Sequence, residues 1–529
     1  MTGAMTGIDL ADRQADMDDN HPEWGPFGVP LFDGPEAQAL TRVAVIDIGS
    51  NSVRMVIFDG AARSPAYFYN EKILCGLGAG FSETGRLNAE GKDRALKALK
   101  RFAALARGVG ASPLLTVATA AVRDAEDGPA FRVQVLAETG LEIQILSGEE
   151  EARLSAQGVL LGWPGAEGLV CDIGGSSMEL AELKGGGAVG ARATSDLGPL
   201  KLMGLKGGKK AITAHIKARL ADLVRTFPDR PKRLFLVGGS WRAIARIDME
   251  RRGYPLKVLH EYRMTPKSIL ETIRYIEDTG IDELRARTGT SEARMRLVPL
   301  AAQVLKALVR QLKPKEVAVS AYGLREGLLY DQMSDALRHR DPLIESARHS
   351  EAQNARMPGF GRALNRFIAP LFPGAKPAKR RLIRAACLLH DVSWRAHPDY
   401  RAEVCFDNAT RANLGGLTHG ERVYLGLALL HRYKSNREAT GFNDALLELL
   451  PEDQVREAEI LGRAMRFGAM FAVAAPEEHG ALTYRPKRRE LTLTLATSEA
   501  RDLFGEVAEA RFNALAQAMD VAALVERAG

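Results

Sequence analysis

Val45-Ile46-Asp47-Ile48-Gly49-Ser50-Asn51-Ser52-Val53-Arg54-Met55 returns later in the chain as Val170-Cys171-Asp172-Ile173-Gly174-Gly175-Ser176-Ser177-Met178-Glu179-Leu180. The apolar, largely β-branched run before each Asp-Ile-Gly suits a buried strand, and the Gly and small polar residues behind it suit a tight turn into a returning strand. Such a turn converges backbone N–H groups into a nest that can hold phosphate. The aspartate at each strand end can carry Mg²⁺ directly or through water, because that ion takes few protein carboxylates and keeps much of its hydration. One copy would be an ordinary turn; two copies predict two related lobes that each lend one turn to a shared cleft.

The 529 residues leave room for two to four domains. With 46% hydrophobic and 26% charged residues, the composition is that of a soluble globular protein. No apolar run reaches the roughly 18 to 20 residues that span a bilayer, and the N-terminus shows no signal-peptide pattern, so a cytoplasmic location is expected. Cys75, Cys171, Cys387 and Cys405 are scattered and give neither a disulfide framework nor a cysteine zinc site. A net charge of +6 favours acidic partners.

Residues 1–40 are acidic, Gly- and Pro-containing and poor in apolar positions, and read as a flexible tail. Strands follow at 43–48, 53–58 and 66–74, then a helix at 89–107, a strand at 114–118, a helix at 129–138, a strand at 142–146 and a helix opening at Ser147-Gly148-Glu149-Glu150-Glu151. Ser147 suits the N-cap, and three acids in the first turn suit the helix dipole. The order repeats with strands at 169–173, 178–183 and 188–196, a helix at 209–226, a strand at 233–237 and a helix from Ser240. Helices at 266–277, 281–288 and 291–312, a strand at 316–320 and a helix at 322–333 complete this part. Three strands, helix, strand, helix, twice over, is the layout of the duplicated actin-like, Hsp70-like (ribonuclease H-like) α/β fold. The expected domains are an N-terminal tail over 1–40, lobe I over 41–160, lobe II over 161–338 and a C-terminal domain over 339–529. The last reads as all-helical apart from a hairpin at 481–496, whose polar turn spans Arg485–Glu490.

Five segments carry a resemblance to the Ppx/GppA family of exopolyphosphatases and guanosine pentaphosphate phosphatases. They are Asp47-Ile48-Gly49-Ser50-Asn51-Ser52, Ala118-Thr119-Ala120-Ala121-Val122-Arg123-Asp124-Ala125, Leu146 to Leu154, Asp172 to Leu180, and Gly323-Leu324-Arg325-Glu326-Gly327-Leu328-Leu329-Tyr330. Ser176 departs from the family's usual third glycine, and Val237-Gly238-Gly239-Ser240-Trp241-Arg242 departs from its usual Gly-Thr ending. The resemblance implies Mg²⁺-dependent hydrolysis of a terminal phosphoanhydride, with Glu151 activating the attacking water. A carboxylate at a helix start beside a cleft can do this; the plainer role is dipole compensation, which Glu149 and Glu150 also suit. By the same resemblance Asp172 and Glu179 surround the metal, with Asp47 as their lobe I companion. Arg123 either grips phosphoryl oxygens or forms an ion pair with Asp124 or Asp127. Backbone donors at Gly49, Ser50, Asn51, Ser52, Gly174, Gly175, Ser176 and Ser177 are expected to hold phosphate.

The expected partner is inorganic polyphosphate or guanosine pentaphosphate, with no nucleic acid and no membrane, and the resemblance allows a homodimer. A kinase of the same superfold, using Val237 to Ser240 as an adenosine turn, and a polyphosphate or alarmone sensor with little turnover are the competing readings. His390-Asp391 at the end of an apolar helix resembles an HD-type domain, read here as degenerate and structural. Basic clusters at Lys206, Lys209 and Lys210, at Lys376, Lys379, Arg380, Arg381 and Arg384, and at Lys487, Arg488 and Arg489 are either solvated faces or a polyanion track.

Overall fold

Each copy of the repeated stretch folds as a strand, a tight turn and an antiparallel return. In the first, β1 (Ala44–Ile48) pairs with β2 (Ser52–Phe58), and Gly49 N–H donates to the Ser52 carbonyl at 3.0 Å. Further on, in the second copy, Gly174 N–H makes the same bond to Ser177, also at 3.0 Å. The computed structural model describes residues 42–59, 63–227 and 229–527, so the tail expected over 1–40 lies outside the described residues.

Lobe I continues with β3 (Tyr67–Leu74), β4 (Leu114–Ala118) and the two-residue β5 (Gln144–Ile145). Its sheet runs β3-β2-β1-β4-β5, antiparallel among the first three strands and parallel from β1 onward. Lobe II holds β6 (Gly168–Ile173), β7 (Met178–Lys184), β8 (Ala188–Ser195), β9 (Arg233–Val237), β10 (Tyr262–Met264) and β11 (Glu316–Val319). Read from β8, its sheet has the same order, β8-β7-β6-β9-β11, with β10 added antiparallel at the far edge. This is the actin-like two-lobe arrangement. Ile46, Ile48, Val53 and Met55 pack into one lobe's core and Cys171, Ile173, Met178 and Leu180 into the other's. Each such fully buried side chain contributes about 1.5–3 kcal/mol over its exposed state.

The helix Gly148–Gly162 packs on β6, β7 and β8 and on the helix Leu324–Asp331. The approach of these two helices requires glycine. A Cβ on Gly158 would sit 2.1 Å from the Gly323 carbonyl oxygen, and one on Gly327 would sit 1.8 Å from that of Leu154. Ser147 caps the first helix as expected, its Oγ accepting from Glu150 N–H at 3.2 Å. At the other end the buried Arg63 donates to the carbonyls of Leu161 at 2.6 Å and Leu160 at 3.1 Å. These carbonyls lack intrahelical partners and carry the negative end of the dipole, so a guanidinium satisfies both.

Several elements differ from the sequence reading, which had no strand at β10 and no helix at Phe81–Thr84 or Pro199–Met203. The helix expected over 291–312 is broken into Glu292–Met295 and Val298–Leu312, because Pro299 has no N–H with which to continue the first turn. The turn after β4 contains a short helix, Ala120–Asp124. The C-terminal unit, which begins at His339, is helical but not all-helical. Its expected hairpin, β12 (Gly480–Arg485) and β13 (Glu490–Leu495), is joined by β14 (Ala522–Arg527), which lies parallel to β13.

In that unit Asp391 accepts from Arg356 at 2.7 and 2.8 Å, and the ring Nδ1 of His390 lies 2.8 Å from the Cys387 carbonyl. Burial, then Arg432, lowers the His390 pKa to about 3. Arg381 and Arg384 are buried, Arg381 against Asp341, and Lys379 pairs with Glu457 at 2.9 Å. These three basic residues serve the unit's interior and not a solvent-facing track.

Candidate active site

The two turns face one another across a cleft of about 480 Å³ within the lobe pair. Its walls include Asp47, Gly49, Ser50, Asn51, Ser52, Glu151, Asp172, Gly174, Gly175, Ser176, Ser177 and Glu179. Of the expected site residues only Arg123 is not on this wall. Ser176, standing in place of a glycine, reaches across the cleft and donates its hydroxyl to Ser50 Oγ at 3.0 Å. Arg325 crosses too, donating to Asp47 Oδ2 at 2.8 Å.

The register explains the acids. β6 ends at Asp172 and Ile173, and β7 starts at Met178 and Glu179, so Asp172 lies directly opposite Glu179 in the ladder. Like charges paired this way raise each other's proton affinity. Burial raises the Asp172 pKa, against the hydrogen bond from Ser155 and the charges of Arg242 and Arg325; burial, then Glu151 and Asp172, pushes Glu179 well above the carboxylate range. Ser155 Oγ donates to Asp172 Oδ2, and Thr194 Oγ1 donates to Glu179 Oε1 at 3.2 Å. In lobe I the corresponding ladder pair is Asp47 and Arg54. One copy therefore places two acids at its turn, and the other an acid and a base.

The three glutamates at the start of the helix Gly148–Gly162 separate by position. Glu149 is exposed, and Glu150 is held by Arg153 Nε at 2.9 Å. Glu151 is only 7% exposed and faces the cleft. Burial raises its pKa to about 7, against the hydrogen bond from Arg123 and with further upward pressure from Asp172 and Asp47. Arg123 donates from Nη1 to Glu151 Oε1 at 2.6 Å and to the Leu146 carbonyl at 2.8 Å, and from Nε to Asp124 at 3.0 Å. It thus stands behind Glu151, and makes the Asp124 pair that the sequence also allowed; Asp127 goes instead to Lys92 at 2.7 Å.

Five cations on the cleft wall were not singled out from the sequence: Arg54, Lys72, Arg242, Arg294 and Arg325. Among the described residues, Arg325 pairs with Asp47, whereas no carboxylate forms an ion pair with the other four. Arg54 bonds Asn70 at 2.8 Å and Arg242 the Ala321 carbonyl at 3.1 Å. Lys72 keeps access to solvent, yet desolvation by its surroundings, then repulsion from Arg294, Arg54, Arg325 and Arg242, lowers its pKa to about 8. Loss of hydration, then mutual repulsion, also lowers Arg54, Arg242 and Arg294. A multiply charged anion would relieve the repulsion within such a group of cations. Arg54 could have been found by laying the two copies of the repeat over one another, where it falls on Glu179. Arg242 and Arg325 lie in segments that the sequence had marked, but without a role.

The sequence matches the family model of the Ppx/GppA phosphatase family over residues 56–336 and that of the exopolyphosphatase C-terminal region over residues 355–524. It is 28% identical over 353 residues to exopolyphosphatase 1 of Mycobacterium tuberculosis, covering 64% of this chain and 100% of that one. To exopolyphosphatase 2 of the same organism it is 29% identical over 314 residues, covering 55% and 98%. The crystal structure of an exopolyphosphatase from Cytophaga hutchinsonii matches with a TM-score of 0.50 at 22% identity, over 56% of this chain and 99% of that chain.

Proposed function

Because this chain belongs to the Ppx/GppA phosphatase family, we propose that it is an exopolyphosphatase, a phosphoanhydride hydrolase that removes orthophosphate from the end of inorganic polyphosphate. The observation that carries this reading is one cleft that joins Glu151, a carboxyl poised near neutrality, to a row of cations without carboxylate partners. The cations hold the phosphate chain, and the N–H groups of the turns at Gly49–Ser52 and Gly174–Ser177 hold its terminal phosphoryl group. Glu151 accepts a proton from water as the water oxygen attacks the terminal phosphorus. The bond from that phosphorus to the bridging oxygen breaks, and the shortened chain leaves with that oxygen. No covalent enzyme intermediate is needed; positioning and charge stabilisation do the work.

Asp172 and Glu179 fit a divalent cation. Both are oxygen donors, Glu179 buried and Asp172 half-buried, and among the described residues neither forms an ion pair with a basic side chain. Among the described residues no three acidic, His or Cys side chains form a metal cage, which suits Mg²⁺, an ion that takes one or two carboxylates together with water and substrate phosphate. When bound there, Mg²⁺ supplies charge neutralisation to phosphoryl oxygens. Asp47, already on Arg325, acts as that arginine's anchor.

The turn at Val237 to Ser240 does not favour an adenosine. The guanidinium of Arg294 lies against Gly239, so close that a Cβ there would be 1.3 Å from Nη1. A charged group in this place suits a polyanion. The test is to incubate the protein with Mg²⁺ and polyphosphate of uniform length and to resolve the products. Chains shortened one unit at a time with free orthophosphate support the reading; phosphate lost only when an acceptor alcohol is present would replace it with a kinase.

A further inference from the structure

A second cavity, of about 580 Å³, meets the cleft at Ala120, Ser176, Ser177 and Leu200. The five cations of the cleft do not line it. Its own basic residues are Arg123, Lys201 and Arg219, and its acids are Asp124, Asp196 and Asp222. Arg219 pairs with Asp196 at 3.0 Å, whereas Lys201 forms no ion pair among the described residues and lies over the ring of Phe81 at 5.9 Å. Arg123 joins the two spaces, lining the second cavity while donating to Glu151, which lines the first.

We propose that this cavity is the exit for orthophosphate, separate from the entry that the chain occupies. The inference rests on the hydrolase reading above. In-line displacement moves the phosphoryl group away from the departing chain and toward the attacking oxygen, hence away from the row of cations and toward Glu151 and its partner Arg123. The way back is filled by the shortened chain, still held by Arg54, Lys72, Arg242 and Arg294. The way forward offers Arg123 and Arg219, paired with Asp124 and Asp196, and then Lys201, so that three cations share the lining with three acids. A balanced lining of this kind passes a phosphate without retaining it, as release requires, while unbalanced cations retain the chain. Separate doors let one chain be shortened repeatedly without dissociating.

The test compares wild type with Lys201→Glu/Arg219→Glu in the full-length protein, with Mg²⁺ and long-chain polyphosphate. Both residues are outside the cleft, and Arg219 is exposed. Acid quenching reads phosphate formed, and a fluorescent phosphate-binding sensor reads phosphate free in solution. The expected result is unchanged formation in the first turnover with release slowed about 5- to 30-fold by two charge reversals. Unchanged first-turnover formation also shows that the variant is folded. Release that keeps pace with formation in both proteins overturns the separate exit and leaves the hydrolase reading in place. No phosphate formed by the wild type overturns the hydrolase reading, and the exit with it. Slowed formation in the variant's first turnover also overturns the exit, because it places these residues on the entry side.

Discussion

Replacing Arg123 by Met removes the guanidinium that donates to Glu151 while keeping an unbranched side chain in its place. The bond measures 2.6 Å, and Glu151 is 7% exposed, so solvent screens it little. A charge-assisted hydrogen bond of this kind is worth about 1.5–3 kcal/mol, which corresponds to about one to two pH units on the carboxyl. The sign follows from the charges: Arg123 favours the ionised form, so its loss raises a pKa already at about 7. Because only the ionised carboxylate takes a proton from water, the acid limb of kcat/KM moves upward by the same amount. At pH 7 the variant is slower by about 5- to 50-fold, and raising the pH recovers most of the loss. The assay is phosphate release from polyphosphate across about pH 6 to 10 at saturating Mg²⁺. An acid limb that stays where it is in the wild type would show that Arg123 does not act on the base. A limb that moves while the high-pH plateau also falls would add direct contact with the phosphoryl group.

Three further outcomes concern the scaffold. Arg63→Ala uncaps the helix that carries Glu151, and is expected to cost about 2–4 kcal/mol of stability in denaturant titration, since it leaves buried carbonyls unpaired. Gly327→Ala forces a methyl to 1.8 Å from the Leu154 carbonyl; the helices must separate, lowering stability by about 3 kcal/mol and disturbing both Glu151 and Arg325, seen as a lower melting temperature with reduced activity. Asp341→Ala removes the carboxylate that the buried Arg381 contacts at 2.8 Å, and a loss of about 3–5 kcal/mol is expected from the unit that begins at His339.

The lobes were legible because the signal was local and doubled. Apolar strands bounded by Gly-rich turns gave β1, β2, β6 and β7 within a residue or so, and the repeat placed Asp47 and Asp172 at equivalent ends. What escaped depended on distant partners. β10 is three residues long and exists only as a partner to β11, and β14 pairs with β13 in parallel, without a connecting hairpin to announce it. Apart from Arg54, which the repeat could have exposed, the cation row escaped for the same reason. Arg54, Lys72, Arg242, Arg294 and Arg325 come from five elements, and each alone reads as a surface base. The break before Pro299 that sets Arg294 apart from the longer helix could have been read from the proline itself. At Asp172 and Glu179 the sequence pattern and the ladder agree, since a strand end and the first turn of its return must face each other. The place of Arg123 behind Glu151 needed the fold, because the two are carried on separate helices.

The most direct measurement of the central claim is orthophosphate release by wild type and Glu151→Gln, with Mg²⁺, from long-chain polyphosphate and from guanosine pentaphosphate in parallel. Gln removes a carboxylate whose ionisation the buried site opposes, so the variant should melt no lower than wild type near pH 8, and lost activity will not reflect unfolding. Release from polyphosphate by wild type is expected, with a fall of about 100-fold or more in the variant. Equal release by the two proteins would contradict the central claim, taking Glu151 out of the reaction.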